Sequence, residues 1–569
     1  MKKVLRILLP AVVIISLFLT SCGASNGSTS DPMANVPSGS FVIEAGSGAE
    51  TILSDQTESG KTITKAIDAY PVFYSTNKVK NHLNAATGKQ YGKAQAFVLE
   101  SPYWSSNSGQ AFARSKMILG MTKELMLSQG LTPGQPSYIT IPKMVDLINS
   151  KTMNLDVCNF TQCNSGGLLY FSVLNHFTGT TVLDLKLTDN SPESQAIIQQ
   201  TKNLIQNISI TTSTDADAKN AFLNNSNGYN AIWTYEAEVA NINFARVSQG
   251  QEPIYAVYVN DSIDAAQTIY FSPYYQLTKE DTDTKSPSYD SQKVKEYKSL
   301  LEKYNKISAA FEKDETIRTA IANSGWRPAQ YNAQPSTDVL KPEWGFVLDP
   351  QTSTSFAPKY EVSMGLLGIF TYNIRKPIIM FFIDDGSGSM DNYLSEIGST
   401  GRQQLLDASN TLFVNGGDEF LQAIDSDITK VYLFDSECTA LDTVKGSNTQ
   451  ILAQQIASTP KGGATSMFRC GVDALNDMAQ YKPMCESTHN CAFVFMTDGQ
   501  DNDCTDQQRS PCVSPTDFND TRTKLGLDSI PVYGVPFGAA DTSQMNQIKN
   551  MNICNDTIED CFKKIKGSR

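Results

Sequence analysis

Three short tracts gather oxygen-bearing side chains at spacings that can hold a cation. In FFIDDGSGSMDN, residues 381–392, an apolar run ends in two aspartates, and Asp385, Ser387 and Ser389 then alternate with glycine. In FVFMTDGQDND, residues 493–503, another apolar run ends in Asp498 followed by Gly499. Between them KGGATSMF sets Thr465 in a glycine-rich loop. Carboxylates with hydroxyls form an all-oxygen set, suited to Mg²⁺, Mn²⁺ or Ca²⁺ and not to zinc. With so few charges the ion stays electrophilic, and an open coordination position could take a carboxylate from a partner. Alone, each tract is an ordinary Asp/Gly/Ser loop; their conjunction carries the argument. Catalysis has no such support. The three histidines, His82, His176 and His489, stand beside no recognisable Ser or Cys nucleophile, so binding is expected and an enzyme is not.

The elements that would position these residues alternate in type. Ile378–Ile383 is a continuous apolar run, as expected of a parallel strand covered on both faces. DITKVYLFDSE, NCAFVFMTDGQDND and DSIPVYGVPFG read as further strands, separated by the helical stretches GRQQLLDASNTLFV, MFRCGVDALNDMAQ and PTDFNDTRTKLG. Such alternation predicts an α/β doubly wound sheet, whose ligands bind outside the carboxyl ends of the strands.

Residues 371–569 resemble the von Willebrand factor A domain with its metal-ion-dependent adhesion site. The family pattern is D-x-S-x-S, a Thr in a later loop and an Asp at a later strand end. Asp385, Ser387, Ser389, Thr465 and Asp498 meet it in order. The resemblance implies a Rossmann-like doubly wound domain that uses a divalent cation to grip an acidic residue of a protein partner. Asp384, Asp391, Asp501 and Asp503 add nearby negative charge and are read as supporting or solvated groups, not ligands.

Residues 40–345 also alternate strands with helices. SFVIEAGS, KAQAFVLESPYW, SKMILGMTKEL and EPIYAVYVN read as strands. SYITIPKMVDLINS reads as a loop leading into a helix that is apolar at Ile141, Met144, Val145 and Ile148. CNFTQCNSGGLLYFSVLNHFTG reads as a turn and a helix opening on Asn164, Ser165 and Gly166, a natural seat for an anion or polar ligand. Two helices follow from Val294, ending at Gly325 with Pro328 beyond. In order, VLESPYW, NSGG, WTYEAEVANIN, IYAVYVN with FSPYYQL, and GWRPA resemble bacterial extracellular solute-binding proteins of the two-lobe, periplasmic-binding-protein type. That resemblance implies a ligand cleft between lobes and nominates Ser47, Ser101, Ser165 and Tyr235. It departs from the family between Ser75 and Gly92, where the Gly-Ser opening of a second binding loop is missing. A linker is expected over 346–370, with a boundary near Pro358.

The start, MKKVLRILLPAVVIISLFLTSC, resembles a bacterial lipoprotein signal whose lipobox cysteine, Cys22, becomes the lipidated N-terminus. Its apolar run is shorter than the roughly 20 residues a membrane span needs. A signal over 1–21 and a Gly/Ser/Pro-rich tether over 22–39 are therefore expected, with the chain lipid-anchored on the exoplasmic or periplasmic side of the cell envelope. Losing the signal removes Lys2, Lys3 and Arg6 and no acid, moving the net charge from −13 to −16. An acidic chain without a basic cluster is a poor nucleic-acid binder. Expected partners are a protein presenting an acidic residue, a small solute in the cleft, and the membrane through lipid.

Ten cysteines remain besides Cys22, an even set that reads as disulfides in an exported chain; with no CxxC, a metal site is the lesser alternative. Eight fall into close pairs, Cys158–Cys163, Cys485–Cys491, Cys504–Cys512 and Cys554–Cys561. Cys438–Cys470 pairs by default and would brace the Thr465 loop.

Overall fold

The structure is a computed structural model. It describes residues 32–569 except 180–186, 188–190, 213, 225–227, 330–333, 356, 396–397, 415–422, 460–461, 505–511, 539, 555–560, 563–564 and 566–569. The expected signal, Cys22 and most of the tether lie outside the described residues. Among those described, no helix is long and apolar enough to cross a membrane.

The first half contains two six-stranded mixed sheets, one per lobe. Lobe one is ordered 327–328, 110–115, 265–271, 96–99, 42–46, 70–74; lobe two is ordered 138–140, 255–260, 117–121, 231–235, 155–158, 209–212. The chain crosses between them directly. Gln110–Ser115 belongs to lobe one and Met117–Met121 to lobe two, with only Lys116 between. Tyr255–Asn260 returns through a short bridge to Ala265–Phe271. A third crossing follows Arg327, since Leu340, Trp344 and Phe346 pack with Ile118, Ile232 and Tyr258 of lobe two. Ion pairs gather at these crossings: Arg327 to Glu236 at 2.7 Å and Lys116 to Asp264 at 2.8 Å.

Two sequence readings need correction here. SYIT is not loop; Tyr138–Thr140 is an edge strand lying parallel to Tyr258–Asn260, and the expected helix runs from Ile141 to Asn149. SKMILGMTKEL is a strand only over Met117–Met121, because the Thr122 hydroxyl caps a helix that begins at Lys123. The departing stretch after Ser75 is a helix, Thr76–Thr87, capped by the Ser75 hydroxyl.

The second half is one largely parallel sheet, ordered 438–440, 428–434, 378–385, 490–497, 532–536, 551–553, with 444–445 pairing beside 428–434. Ile378–Asp385 is central and parallel to both neighbours. Its side chains alternate between two apolar layers. Met380 and Phe382 pack with Leu405, Leu412 and Ile456, whereas Phe381 and Ile383 pack with Met467, Phe468 and Phe518. This alternation separates the doubled aspartate. Asp385 continues the face of the helix Met467–Met478, which the Thr465 loop precedes, and Asp384 continues the opposite face.

Part of the expected linker is packed structure. Tyr360–Ile369 is a helix continued by a π-helical turn, Phe370–Ile374, and Leu366, Leu367, Ile369, Phe370 and Ile374 belong to the apolar core of the first half. It touches both lobes: Asn84 of lobe one donates to the Tyr360 hydroxyl at 3.2 Å, and Tyr170 of lobe two donates to the Leu366 carbonyl at 2.9 Å. Arg375 then pairs with Asp427 of the second half at 2.7 Å.

Candidate functional site

The carboxyl end of the second half's sheet brings four of the five nominated oxygen donors together. The Ser387 amide donates to Asp385 Oδ1 at 2.8 Å, the Ser387 and Ser389 hydroxyl oxygens lie 3.0 Å apart, and the Ser389 hydroxyl donates to Asp498 Oδ1 at 2.8 Å. Asp385 is wholly buried, whereas Ser389 faces solvent. Thr465 is placed beside them by its backbone. Gly462 N–H donates to the Gly386 carbonyl at 3.0 Å, and Gly388 N–H donates to the Gly463 carbonyl at 3.2 Å. Gly462 and Gly463 have φ of +136° and +83°, a turn that L-residues rarely adopt.

The supporting contacts come from residues that the motif does not contain. The Thr497 hydroxyl donates to Asp385 Oδ2 at 2.6 Å, although Thr497 precedes Asp498 in the quoted tract. Asn502 clasps Thr465 from both sides: its side-chain oxygen accepts from Thr465 N–H at 2.8 Å, and its own N–H donates to the Thr465 carbonyl at 2.9 Å. Asp501 and Asp503 are buried braces, not solvated charges. Asp501 accepts from Phe468 N–H at 2.9 Å in the first turn of its helix, and Asp503 pairs with Arg469 at 2.8 Å. Asp391 is exposed and pairs with Arg402, whose guanidinium also reaches the Ser387 carbonyl at 3.5 Å. Asp435 and Ser436, at the next strand end, hold the glycine-rich loop through Ser466 N–H and Ala464 N–H.

Burial pushes the Asp385 carboxyl up to about 6, Asp498 adding to the effect, and burial raises Asp498 as well. A buried carboxylate with no ammonium or guanidinium bonded to it is a group that a cation would relieve. No three His, Cys, Asp or Glu side chains gather as a metal cluster among the described residues. The seat has two carboxylates and must draw its other oxygens from hydroxyls, a donor set that fits a hard divalent ion. Cys438 and Cys470 are disulfide partners with Cα atoms 5.1 Å apart, and this bridge ties the strand after Asp435 to the helix after Thr465. The other four expected pairs are also at disulfide distance, with Cα separations of 5.9, 5.5, 4.9 and 5.8 Å.

The first half brings three of its four nominated residues together where the lobes meet. Ser165 and Tyr235 of lobe two both donate to Asp215, Tyr235 at 3.4 Å, and Ser47 of lobe one accepts from Asp215 N–H at 3.3 Å. Ser101 does not join them; its hydroxyl donates to the adjacent Glu100 carbonyl at 2.6 Å. Glu100 is the central acid of lobe one, taking Gly48 N–H and the Thr76 hydroxyl, each at 3.0 Å. A Cβ at Gly46 would lie 2.1 Å from Glu100 Oε1, so glycine there leaves room for the carboxyl. Asn164 links the lobes by accepting from Trp104 Nε1 at 3.1 Å and donating to the Tyr235 hydroxyl at 3.2 Å.

The helix start at Ser165 is not an open anion seat. Cβ atoms at Gly166 and Gly167 would meet the Cys158 carbonyl at 2.1 Å and the Tyr103 hydroxyl at 2.3 Å. Burial pushes Glu100 up to about 8 and Asp215 up to about 7. Sequence reasoning missed both acids. Glu100 stood in VLESPYW with a strand end as its signal, and Asp215 had none.

No protein-family model matches the chain, and no curated protein sequence does. Solved structures share parts of it. A periplasmic thiamin binding protein is 10% identical, with 57% of this chain and 92% of that one covered at a TM-score of 0.37. The periplasmic binding protein AfuA from Actinobacillus pleuropneumoniae is 12% identical, covering 59% and 99%, at 0.35. The ArnB paralog VWA2 from Sulfolobus acidocaldarius is 15% identical, covering 34% and 45%, at 0.23. The chain is thus similar over part of its length to periplasmic binding proteins and, over a smaller part, to a VWA protein.

Proposed function

We propose that this chain is a binding protein of the cell envelope and not an enzyme, and that its first half captures a small solute between its two lobes. The observation that carries this reading is the convergence of Ser47, Ser165 and Tyr235 from opposite lobes on Asp215, beside Glu100. A thermal-shift screen of small solutes tests it. A true ligand raises the melting temperature with or without EDTA, by about 2.7 kcal/mol of stabilisation at 100 times its Kd. Asp215→Ala should abolish the shift; a ligand whose shift survives that change does not use this cleft.

A second reading is favoured by its own observation, the hydrogen-bonded run Asp385–Ser387–Ser389–Asp498 with Thr465 stitched beside it. Here the second half binds a protein partner through a divalent cation. Asp385, Ser387, Ser389, Thr465 and Asp498 would hold the ion, which supplies a Lewis-acidic position for a partner's carboxylate. The protein's own part is to keep the Asp385 carboxylate buried and oriented by Thr497, and to hold the loops at fixed spacing. Capture of partners from envelope extract should require the cation and fail for Asp385→Ala; capture unchanged by EDTA sinks this reading. Both readings place the chain outside the cytoplasm, with Cys22 as its lipid attachment.

A further inference from the structure

The lobes close on carboxyl groups that outnumber the cations near them. Glu50 and Glu100 come from lobe one; Asp215, Asp217 and Glu238 come from lobe two. Lys219 is the basic side chain acting on this group, and it already pairs with Glu238 at 3.2 Å. The phenols of Tyr103 and Tyr235, raised far above neutrality by burial, contribute no charge. Glu100 is wholly buried, Asp215 nearly so, and the charge of Asp215 disfavours ionisation of Glu100 across the lobe boundary. Apart from the Arg327–Glu236 ion pair at the crossings, neutral contacts help close the boundary: Asn77 N–H to the Gln162 carbonyl at 3.1 Å, Trp104 to Asn164, and the Tyr235 and Trp326 rings 5.1 Å apart.

We propose that closing the two lobes takes up protons, so that the cleft shuts in mildly acidic medium and opens as the medium becomes alkaline. Gly46 and Gly48 support this assignment. A Cβ at Gly48 would approach Tyr235 and Glu100 at 3.0 and 3.1 Å, so the closed boundary is fitted around a carboxyl and leaves no space for a hydrated charge. In the closed form Glu100 is pushed up to about 8, and Asp215 and Glu50 up to about 7, each chiefly by burial. Exposed in an open cleft, the same groups would return towards the ordinary carboxyl range near 4. The closed form therefore holds the proton more tightly. Its advantage is complete below the open-cleft values and is lost as the pH rises through 7 to 8. Each proton taken up changes the closing constant tenfold per pH unit inside that window. The inference deepens the solute-capture reading as a regulation of that site, and needs from it only that the lobes open and close.

Tryptophan offers a direct readout, because Trp104 and Trp326 sit at the boundary and the chain has four tryptophans in all. Acrylamide quenching of the full chain, without added solute, should be low near pH 5 and higher at pH 9, levelling off once the pH has passed 7 to 8. The isosteric changes Glu100→Gln and Asp215→Asn remove two of the three titrating groups with little change of shape, and together should reduce the slope to the part that Glu50 contributes. Asp156→Asn is the control. Asp156 is buried within lobe two, where burial pushes it up to about 8, so its ionisation would loosen that lobe without opening the cleft. A flat wild-type profile would overturn the proposal. So would a slope undiminished in the Glu100→Gln, Asp215→Asn protein, or one that vanishes in Asp156→Asn. Should the double variant fail to fold, Glu100→Gln alone must reduce the amplitude or move the opening to higher pH. Failure to find a solute leaves the quenching result intact, and a flat profile leaves solute capture intact.

Discussion

The inter-lobe cleft and the edge of the second half's sheet solve opposite problems with the same side chains. In the cleft, two acids lie buried where the lobes meet, Glu100 satisfied by donors of lobe one and Asp215 by donors of lobe two. At the sheet edge, one acid is buried at the tip of a single strand, and hydroxyls lead from it out to solvent. The first arrangement is assembled from two lobes. The second is built into one body and stays open on one side. Placement therefore decides whether a carboxyl responds to conformation or to a ligand. Glu100 and Asp215 lie on opposite sides of the lobe boundary, whereas Asp385 is held by Thr497 and the Ser387 amide within one sheet.

The comparison can be broken from either side, and the largest effect belongs to the second half. Replacing Cys438 and Cys470 by serine frees a loop of 32 residues. Chain entropy puts the cost at about 3–4 kcal/mol. Urea unfolding should show that loss in the transition of the second half, with cation affinity loosened as well; unchanged affinity would mean that the bridge does not brace the Thr465 loop. Next, Asp385→Ala should weaken Mn²⁺ binding, read by calorimetry, about 100-fold, the scale associated with losing the support of a metal site. A solute-dependent thermal shift in the first half should be untouched. If it moves too, the two sites are not independent. Third, Gly48→Ala puts a methyl group against Tyr235 and Glu100, and overpacking of this kind costs about 1–3 kcal/mol. It should raise tryptophan quenching at pH 5 without altering cation binding. The smallest effect is expected from Thr497→Val, which removes one donor from Asp385 and should cost about 1 kcal/mol. A larger loss of cation affinity than of stability would show that Thr497 orients the carboxylate as well as satisfying it.

Legibility followed the range of the interaction. The run Ile378–Ile383 announces a buried strand because both faces are apolar, and the residues after it are set by local geometry. Asp385 could therefore be separated from Asp384 by motif register before the packing layers showed why. Thr465 was legible because glycines before a helix mark a loop. Asn502, which clasps Thr465 across 37 residues, carries no local mark, and Asp501 and Asp503 look like solvated charge until their amide partners are seen. The cleft was harder still. Ser47, Ser165 and Tyr235 were nominated by a family resemblance that places ligand groups at element ends, but Asp215 meets Ser47 across 168 residues. Periodicity reports what an element buries and says nothing of which other element supplies a partner. The same limit hid Tyr138–Thr140, too short for alternation to register.

The helix Tyr360–Ile369 with its π-helical extension has a practical consequence for dissecting the chain. A fragment ending at residue 345 would strip Leu366, Phe370 and Ile374 from the core they share with Phe160 and Tyr170, leaving aromatic surface in water. Such a fragment should aggregate, and its failure to bind would say nothing about the cleft. The cut belongs after Ile374, just before Arg375 joins Asp427, where the backbone leaves one core and enters the other within a few residues.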